Sequence, residues 1–428
     1  MSDLDKASVA RAVDRIYGLD IDRWTIPQVK LDLGDRRRTS LFPWRGQFSP
    51  QLVDLLLAEY AEANLSICDP FVGSGTTLFE CARKSLPCCG TEVNPAAVTM
   101  ASTCQFVSVP TKARVAVCRR ARQIVEQHAA QLDRDGLFSM PSSHEMVASE
   151  EEVLRQMSVG LTDDPLVHNI LANTVIRYST GRRSEEGKPL QLLRAVDQHL
   201  RIIQELPYSS EEYKVFHSDA RMLPLADSSI DLIITSPPYI NVFNYHQNAR
   251  QAMEIAGWDL LRVARSEIGS NRKHRANRFL TVIQYAIDMA AAVLEMRRVL
   301  RPGGRIIAVI GRESRIRRVS FENFAILGTV ATVGAGLDVV SRQERKFTNR
   351  FGKQIYEDIL HFTPSSGPFA THSGTARDLG IFFLERALPR SDGEVSENIV
   401  DAIEAATDVS ASPLLEEGLA YGYGAAQG

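Results

Sequence analysis

The stretch that decides the fold is LSICDPFVGSGTTLFECARKSLPCCGTEV, residues 65–93. It opens with a short apolar run, continues through a glycine-containing loop, and takes up a helical pattern near Thr76. A second apolar run then ends in an acid, Glu92. This order of strand, glycine loop, helix and acid-terminated strand predicts one half of a nucleotide-binding α/β unit.

The loop DPFVGSGTT, residues 69–77, has the features of a ligand-binding turn. Gly73 and Gly75 let the backbone turn sharply and approach a ligand closely, and the helix behind them offers free amide donors to a carboxylate. The loop lacks the G-K-[ST] ending of a phosphate loop and the G-x-G-x-x-G pattern of a dinucleotide site. Taken alone, it is also compatible with a tight structural turn.

Two acids at predicted strand ends are candidate acceptors for a nucleoside ligand. Glu92 can accept hydrogen bonds from both ribose hydroxyls, although a surface acid at a strand end is the competing interpretation. Asp219, in the sequence HSDA at 217–220, can accept a hydrogen bond from an adenine amino group. For Asp219 the competing interpretation is a helix N-cap or an Asx turn.

The rest of the pattern predicts a doubly wound α/β sheet with a mostly helical insertion. Long helical patterns fill residues 95–206. The sequence Arg301-Pro-Gly-Gly304 should end one long helix before a core strand begins. The remaining signals are strands at 213–217, 230–236 and 305–310, helices at 279–300 and near 320–333, and strands near 337–345 and 355–362.

The segment IDLIITSPPY, residues 230–239, places a polar, proline-rich turn at the end of a core strand. Open α/β sheets hold their ligands at that edge. Pro237 and Pro238 fix the backbone and remove two amide donors, which leaves the Ser236 hydroxyl and nearby carbonyls as rigid acceptors. Such acceptors can grip the N–H groups of an exocyclic amine and aim its lone pair at a methyl sulfonium. Tyr239 offers a face for a base taken out of a helix, the alternative being a structural proline turn.

These motifs resemble those of the amino-methylating DNA methyltransferases. DPFVGSGTT, TEVNP at 91–95, HSDA and TSPPY are similar to motifs I to IV of that family, and VLRPGGR at 299–305 is similar to a strand start found across S-adenosylmethionine methyltransferases. The resemblance covers about 41–97 and 213–363. It implies a seven-stranded Rossmann-like sheet with one antiparallel strand, and S-adenosylmethionine as the cofactor.

The same resemblance assigns roles to individual residues. Glu92 would hold the ribose and Asp219 the adenine, and Phe48-Ser49-Pro50 resembles a motif that contacts the methionine carboxylate. The cofactor-binding residues implied are Phe48, Pro50, Asp69, Phe71, Gly73, Ser74, Gly75, Thr76, Thr77, Glu92, Asp219 and Ala220. The catalytic residues implied are Ser236, Pro237, Pro238 and Tyr239.

On this basis the chain divides into five parts. They are an N-terminal extension at 1–40, a cofactor-binding half at 41–97, an insertion at 98–212 with a role in target recognition, a catalytic half at 213–365, and a weakly ordered acidic tail at 366–428.

The base is indicated by the first residue of the tetrapeptide. The Ser form is typical of cytosine-N4 enzymes and the Asp form of adenine-N6 enzymes, so the sequence favours a site-specific cytosine-N4 DNA methyltransferase acting on a flipped base. Adenine N6 in DNA and an amino group in RNA are the alternatives. Covalent cytosine-C5 chemistry needs a Cys after Pro at the fourth strand, whereas Pro87-Cys88 begins the second strand. The target sequence, a cognate restriction enzyme and the oligomeric state stay open.

Positive charge is concentrated in the last part of the predicted catalytic half. The net charge of the chain is −3, but residues 241–360 carry 20 Lys/Arg against 11 Asp/Glu, which suits a polyanionic partner as well as a solvated face. Arg312, Arg315, Arg317 and Arg318 extend this run. The residues predicted to contact DNA are Asn241, Tyr245, Arg250, Arg272, Lys273 and Arg275.

The remaining composition predicts a cytoplasmic enzyme without a metal. All six cysteines fall in the first third of the chain, and none form the C-x-x-C pairs of a zinc site. The sequence has no apolar run long enough for a membrane span and no apolar signal core near its start.

Overall fold

A computed structural model of the chain describes residues 6–32, 40–132, 149–159, 162–181, 186–240, 245–270, 274–348, 352–366 and 374–415. The helices before the third strand are α1 (Lys6–Tyr17), α2 (Gln28–Leu31), α3 (Pro50–Tyr60), α4 (Thr76–Arg83), α5 (Pro95–Ala101), α6 (Thr111–Leu132), α7 (Glu150–Val159), α8 (Pro165–Thr180) and α9 (Lys188–Glu205). Those after it are α10 (Arg250–Ile255), α11 (Leu260–Ser266), α12 (Leu280–Val299), α13 (Asn323–Thr329), α14 (Thr375–Ala387) and α15 (Gly393–Glu404). The strands are β1 (Ile67–Asp69), β2 (Cys88–Glu92), β3 (Tyr213–His217), β4 (Ile230–Thr235), β5 (Leu300–Gly311), β6 (Glu313–Ile316), β7 (Val319–Glu322), β8 (Leu337–Thr348) and β9 (Gln354–Pro364).

Seven strands form one sheet in the order β3-β2-β1-β4-β5-β9-β8, and β6 and β7 form a separate hairpin. The pairs from β3 to β5 are parallel, whereas β9 runs antiparallel to both β5 and β8. From β1 the chain first adds β2 and β3 on one side of that strand, and then adds β4 and β5 on its other side. This arrangement confirms the predicted doubly wound, Rossmann-like sheet with one antiparallel strand.

The central strands are apolar at consecutive positions because helices cover both faces of the sheet. In β4, Leu232 and Ile234 pack into the cluster formed with α3 to α9, whereas Ile233 packs into the cluster formed with α1 and α12 to α15. In β5, Ile307 packs into the first of these clusters and Ile306 into the second. Strands buried on both faces are expected to read as continuous apolar runs, which is why the sequence located them well.

The described part of the segment between β2 and β3 is mostly helical, as predicted. Helix α8 is tied to the end of α5, because the side-chain amides of Asn169 and Asn173 donate to the Thr99 carbonyl at 2.9 and 3.0 Å. The insertion is thereby fixed to the helix that follows Glu92. None of the helices in the described ranges combines the length and apolar character that a bilayer crossing needs.

The predicted weak order of the tail is wrong for residues 374–415. Helices α14 and α15 bury apolar side chains against α12, including Leu379, Phe383, Leu384 and Ile399, each no more than 4% exposed. These apolar positions recur at helical spacing among Ala, Ser, Gly and acidic residues, and the overall composition concealed them. Residues 416–428 lie outside the described part of the chain.

Helix α12 ends at Val299, next to the predicted stop, but the following strand begins earlier than expected. Ile230 pairs with Leu300 and Leu232 with Arg305, so a bulge in β5 takes up the intervening Arg-Pro-Gly-Gly residues. A Cβ atom at Gly304 would lie 2.9 Å from the Asp231 carbonyl oxygen. The second glycine is therefore needed for this close approach of two backbones.

Candidate functional site

A cleft lies at the carboxyl ends of β1 and β4, where the direction of the strand order reverses. The space between its walls comprises about 820 Å³, which includes open solvent at its mouth. Ligands of open α/β sheets bind at such a reversal. The predicted residues that line it are Phe48, Asp69, Phe71, Gly73, Ser74, Thr76, Glu92, Asp219, Ala220, Ser236, Pro238 and Tyr245.

The other predicted cofactor and catalytic residues lie outside this lining. They are Pro50, Gly75, Thr77, Pro237 and Tyr239. Pro50 is the buried first residue of α3. Gly75 precedes α4 with a φ of +94°, and a Cβ atom there would lie 2.9 Å from the Cα of Ala101 in α5. Gly75 is therefore needed for its left-handed conformation and for helix packing, with the ligand approached by Gly73 and Ser74 instead.

Asp69 organises the glycine loop from inside the protein. Its Oδ1 accepts hydrogen bonds from the Phe71 amide at 3.1 Å and the Thr235 hydroxyl at 2.6 Å, and its Oδ2 accepts one from the Thr77 hydroxyl at 2.5 Å. Burial raises the pKa of Asp69 to about 6, although these three donors oppose the rise. The carboxylate thus joins β1, the loop, α4 and β4, and Thr77 serves this network.

Glu92 occupies the end of β2 and faces the cleft. Its Oε2 accepts a hydrogen bond from the Gly73 amide at 3.1 Å, and its Oε1 accepts one from the Asn94 amide at 2.8 Å. Burial raises the pKa of Glu92 to about 7, and the charge of Glu267 adds to the rise. The backbone of Val93 also donates to this carboxylate, and the acceptor capacity that remains can receive a ligand hydroxyl from the cleft.

Replacing Glu92 with glutamine is expected to stabilise the ligand-free protein at pH 8. The native state holds the pKa near 7 against 4.5 for the free side chain, so the carboxyl lowers the free energy of unfolding as pH rises from 4.5 to 7. The loss is at most about 3 kcal/mol, and less where the cleft admits water. Urea unfolding at pH 5 and pH 8 measures it, with the surface variant Glu212→Gln as control. A gap between wild type and Glu92→Gln that does not grow with pH contradicts the expectation.

Asp219 lines the cleft, but its carboxylate is already engaged. Oδ1 accepts from the backbone N–H and Nε of Arg221 at 3.0 and 2.9 Å, and Oδ2 accepts from Nη2 of Arg221 at 2.6 Å and the Leu415 amide at 3.4 Å. The bond to the amide two residues ahead is the Asx turn that was the competing interpretation. The role that the resemblance gave to Asp219, holding the adenine, stays a prediction that this geometry does not favour.

The tetrapeptide predicted to be catalytic, Ser236 to Tyr239, is supported by strand β5. The ring of Tyr239 covers Gly311, where a Cβ atom would lie 3.0 Å from the ring. Burial raises the pKa of the Tyr239 hydroxyl above its ordinary value, and hydrogen bonds from the Ser236 side chain and the Gly311 backbone oppose the rise. Gly311 was not found in the sequence, because nothing local links it to a residue 72 positions earlier.

A second support comes from α12. The hydroxyl of Tyr285 donates a hydrogen bond to the Pro238 carbonyl at 3.0 Å, and the whole side chain is buried. This bond fixes the carbonyl of the second proline, which has no amide of its own to anchor it. The tetrapeptide is therefore held from two elements, and the Ser236 hydroxyl at the cleft has a fixed backbone.

Several cleft residues were missed by the sequence reasoning. On the side of the glycine loop they are Trp44, Gly46 and Gln47, and on the opposite side Ser266, Glu267 and Ile268. The only signal for the first group was its position directly before Phe48, within the stretch LFPWRGQFSP. The second group follows α11 in a segment that was interpreted only through its positive charge.

The predicted cationic surface is reduced by internal ion pairs. Among the four arginines expected to extend it, three have partners: Arg312 binds Asp358 and Glu344, Arg315 binds Glu313, and Arg317 binds Glu394. Arg250 is exposed and pairs with Glu254 at 2.7 Å, and Arg275 is exposed. Asn241, Arg272 and Lys273 lie outside the described residues. Exposed guanidinium groups remain in this part of the chain, but their charge is less available than the sequence count indicated.

Within the described ranges, no three His, Cys, Asp or Glu side chains are grouped so as to hold a metal ion. The acids of the cleft instead face one another across it, with Glu92 and Glu267 close enough to influence each other. A cleft lined by carboxylates, loop amides and aromatic rings suits a cationic nucleoside ligand.

Comparisons with known proteins give one curated relative of short extent. The Type II methyltransferase M.MjaII of Methanocaldococcus jannaschii is 36% identical over 67 residues, which are 15% of this chain and 13% of that protein. The match thus spans only a small part of either protein. No family model matches the chain.

Among solved structures, several distant proteins align over most of the chain. A SAM-dependent methyltransferase from Methanosarcina mazei is 13% identical over 72% of this chain and 97% of its own, with a TM-score of 0.33. The [4+2]-cyclase SpnF is 11% identical over 84% and 93%, with a TM-score of 0.34. The fold is assigned from the strand order of the sheet and not from these distant matches.

Proposed function

We propose that this protein is an S-adenosylmethionine-dependent methyltransferase that acts on the exocyclic amino group of a DNA base, with cytosine N4 favoured. The single observation that carries the proposal is the placement of Ser236 and Pro238 in the same cleft as the glycine loop and Glu92. Residues separated by more than 140 positions thereby form one site. The segment similar to an archaeal Type II methyltransferase supports the same class.

The residues of the cleft fit the proposed cofactor. The amides of the glycine loop and the start of α4 suit a carboxylate, Glu92 suits a ribose diol, and the acidic lining suits a positive charge. Trp44 adjoins the loop, since a Cβ atom on Gly73 would lie 3.5 Å from its indole nitrogen. When bound, S-adenosylmethionine supplies the electrophilic methyl group.

The chain's own groups would prepare the amine for transfer. The amino nitrogen of cytosine is a poor nucleophile, because its lone pair is delocalised into the ring. The Ser236 hydroxyl and a neighbouring carbonyl would accept hydrogen bonds from its two N–H groups and pull the nitrogen toward a tetrahedral geometry, which takes the lone pair out of conjugation with the ring. Because Tyr285 and Gly311 fix the tetrapeptide, these acceptors are already in place before the substrate binds. The ring of Tyr239 packs on Gly311 outside the cleft lining, so the stacking role inferred for it from the sequence is not part of this proposal.

The proposed substrate class depends on exposed positive charge and on the serine of the tetrapeptide. Arg250 and Arg275 are exposed and follow the tetrapeptide in sequence, and such arginines suit phosphate contacts. The serine form of the tetrapeptide favours cytosine over adenine. DNA, N4 specificity and base flipping remain parts of the proposal.

The decisive experiment uses unmethylated DNA, the purified full chain and isotopically labelled S-adenosylmethionine, with digestion to nucleosides and mass spectrometry. Label in N4-methylcytosine is the expected result. Label in N6-methyladenine would keep the reaction and change the base. Label in RNA but not DNA would overturn the substrate proposal, and cofactor binding without transfer to either polymer would overturn the proposed reaction.

A further inference from the structure

One pocket residue has the chemistry of a nucleoside acceptor and no role in the predicted site. Glu267 lines the cleft and is 3% exposed. Its position in the cleft, its hydrogen bond to His246 and the residues around it indicate which part of the ligand it contacts.

The acceptor that the family motif provides is already saturated in this chain. Asp219 receives three hydrogen bonds from Arg221 and one from the Leu415 amide, with two bonds on each oxygen. A carboxylate has about four lone-pair sites. A ligand amino group that approaches Asp219 would therefore have to displace one of these internal donors.

Glu267 lies at the same end of the cleft as Asp219. The carbonyl of Ser266, the preceding residue, accepts a hydrogen bond from Nη2 of Arg221 at 3.1 Å, and that nitrogen also binds Asp219 at 2.6 Å. One guanidinium thus links both walls. Glu267 is also close enough to Glu92 to raise its pKa. These contacts place Glu267 beyond the ribose-binding end of β2 and beside the HSDA turn.

The carboxylate of Glu267 is held in a fixed orientation. Its Oε2 is 2.7 Å from Nδ1 of His246, and both side chains are 3% exposed. His246 belongs to a short turn whose Tyr245 carbonyl accepts a hydrogen bond from the Asn94 side chain at 3.1 Å. Asn94 in turn caps α5 directly after β2. An acceptor held by this chain of contacts loses little conformational freedom when a ligand binds.

The surfaces beside Glu267 suit a flat aromatic ring. Val93, Ala220 and Ile268 contribute apolar groups to the same cleft, and Ala220 and Ile268 are 3% and 7% exposed. A heteroaromatic ring between apolar walls needs polar partners only at its edge. Glu267 supplies an acceptor at that edge, and an exocyclic amino group supplies the matching donor.

We propose that Glu267, oriented by His246, binds the adenine amino group of the cofactor, and that Asp219 builds the wall through Arg221 without contacting the ligand. This inference rests on the proposed cofactor and is independent of the methyl acceptor. The expected partner is a purine nucleoside with a 6-amino group. A 6-oxo purine presents a carbonyl to the carboxylate and is disfavoured.

Calorimetry on the full chain tests this without any turnover. The probes are S-adenosylhomocysteine and its inosine counterpart, in which a carbonyl replaces the amino group. Wild type should bind the adenosine form about 10- to 100-fold more tightly, the range of a hydrogen bond to a charged group. In Glu267→Ala this preference should fall to a fewfold or less, with Glu212→Gln as a surface control.

The variant Asp219→Asn separates the two candidate acceptors. Loss of the preference in Asp219→Asn together with its retention in Glu267→Ala would overturn the inference, as would equal binding of both probes by wild type. Failure of wild type to bind either probe would overturn the proposed cofactor itself. Thermal unfolding of each variant checks folding, and Glu267→Gln, which keeps one carbonyl acceptor, should fall between wild type and Glu267→Ala.

Discussion

Ser236→Ala is expected to lower the rate of methyl transfer at least about 100-fold while cofactor affinity stays the same. The hydroxyl lies in the cleft, whereas the backbone of the tetrapeptide is held by Tyr285 and Gly311. Alanine removes one of the two proposed acceptors for the amine, together with the Ser236 hydrogen bond to Tyr239, while Tyr285 and Gly311 still hold the backbone. The loss should therefore appear in the transfer step, because that acceptor is most needed when the nitrogen becomes tetrahedral and its lone pair leaves conjugation with the ring.

Single-turnover transfer with saturating DNA and cofactor measures this effect, and calorimetry with S-adenosylhomocysteine measures binding. Ser229→Ala is the matched control, because the Ser229 hydroxyl bonds only the Ala226 carbonyl in the turn before β4 among the described contacts. Full turnover by Ser236→Ala would show that the catalytic assignment is wrong. A parallel loss of cofactor affinity would show that Ser236 serves binding rather than transfer.

The sequence predicted the sheet well because the central strands encode their own environment. Segments such as 230–235 are apolar at nearly every position, as burial on both faces requires, and glycines and prolines mark where each strand ends. The first five strands of the sheet and α12 were located in this way. The hairpin of β6 and β7 was not found, because its alternating arginines and acids were interpreted as a cationic surface.

The sequence predicted only those cleft residues that belong to recognisable local motifs. The glycine loop, Glu92 and Ser236 carry recognisable neighbours, and the structure places them together. Glu267, Gly311 and Tyr285 have no such signal. Each matters because of a contact with a residue at least 20 positions away in sequence, and only the fold creates those contacts.

The tail shows that composition can also fail to predict order that depends on distant contacts. Composition indicated weak order after residue 366, yet residues 409–415 reach the wall of the cleft. Nη1 of Arg221 donates to the Ser412 carbonyl at 2.7 Å, and Nη2 donates to the Pro413 carbonyl at 2.9 Å. One buried arginine thus anchors this segment, whose Val409 and Leu415 side chains are also buried.

Arg221→Met is accordingly expected to lower the free energy of unfolding by about 3–5 kcal/mol, the cost of removing one partner from a buried ionic cluster. The guanidinium is 2% exposed and binds Asp219 and Asp288, whose side chains are 2% and 0% exposed. Methionine has similar length but leaves both carboxylates buried without their cation. The three carbonyls of Ser266, Ser412 and Pro413 lose a donor as well.

Urea unfolding measures the change, and Arg317→Met is the control, since its pair with Glu394 is a surface contact worth at most about 1 kcal/mol. The double variant Arg221→Met/Asp288→Asn should recover part of the loss, because it removes one buried charge while the asparagine oxygen can still accept from the Ser412 amide. A loss in Arg221→Met no larger than that of Arg317→Met would mean that the cluster does not hold the tail. Recovery in the double variant is the outcome that assigns the loss to uncompensated charge, because a pure packing defect would be deepened by a second change.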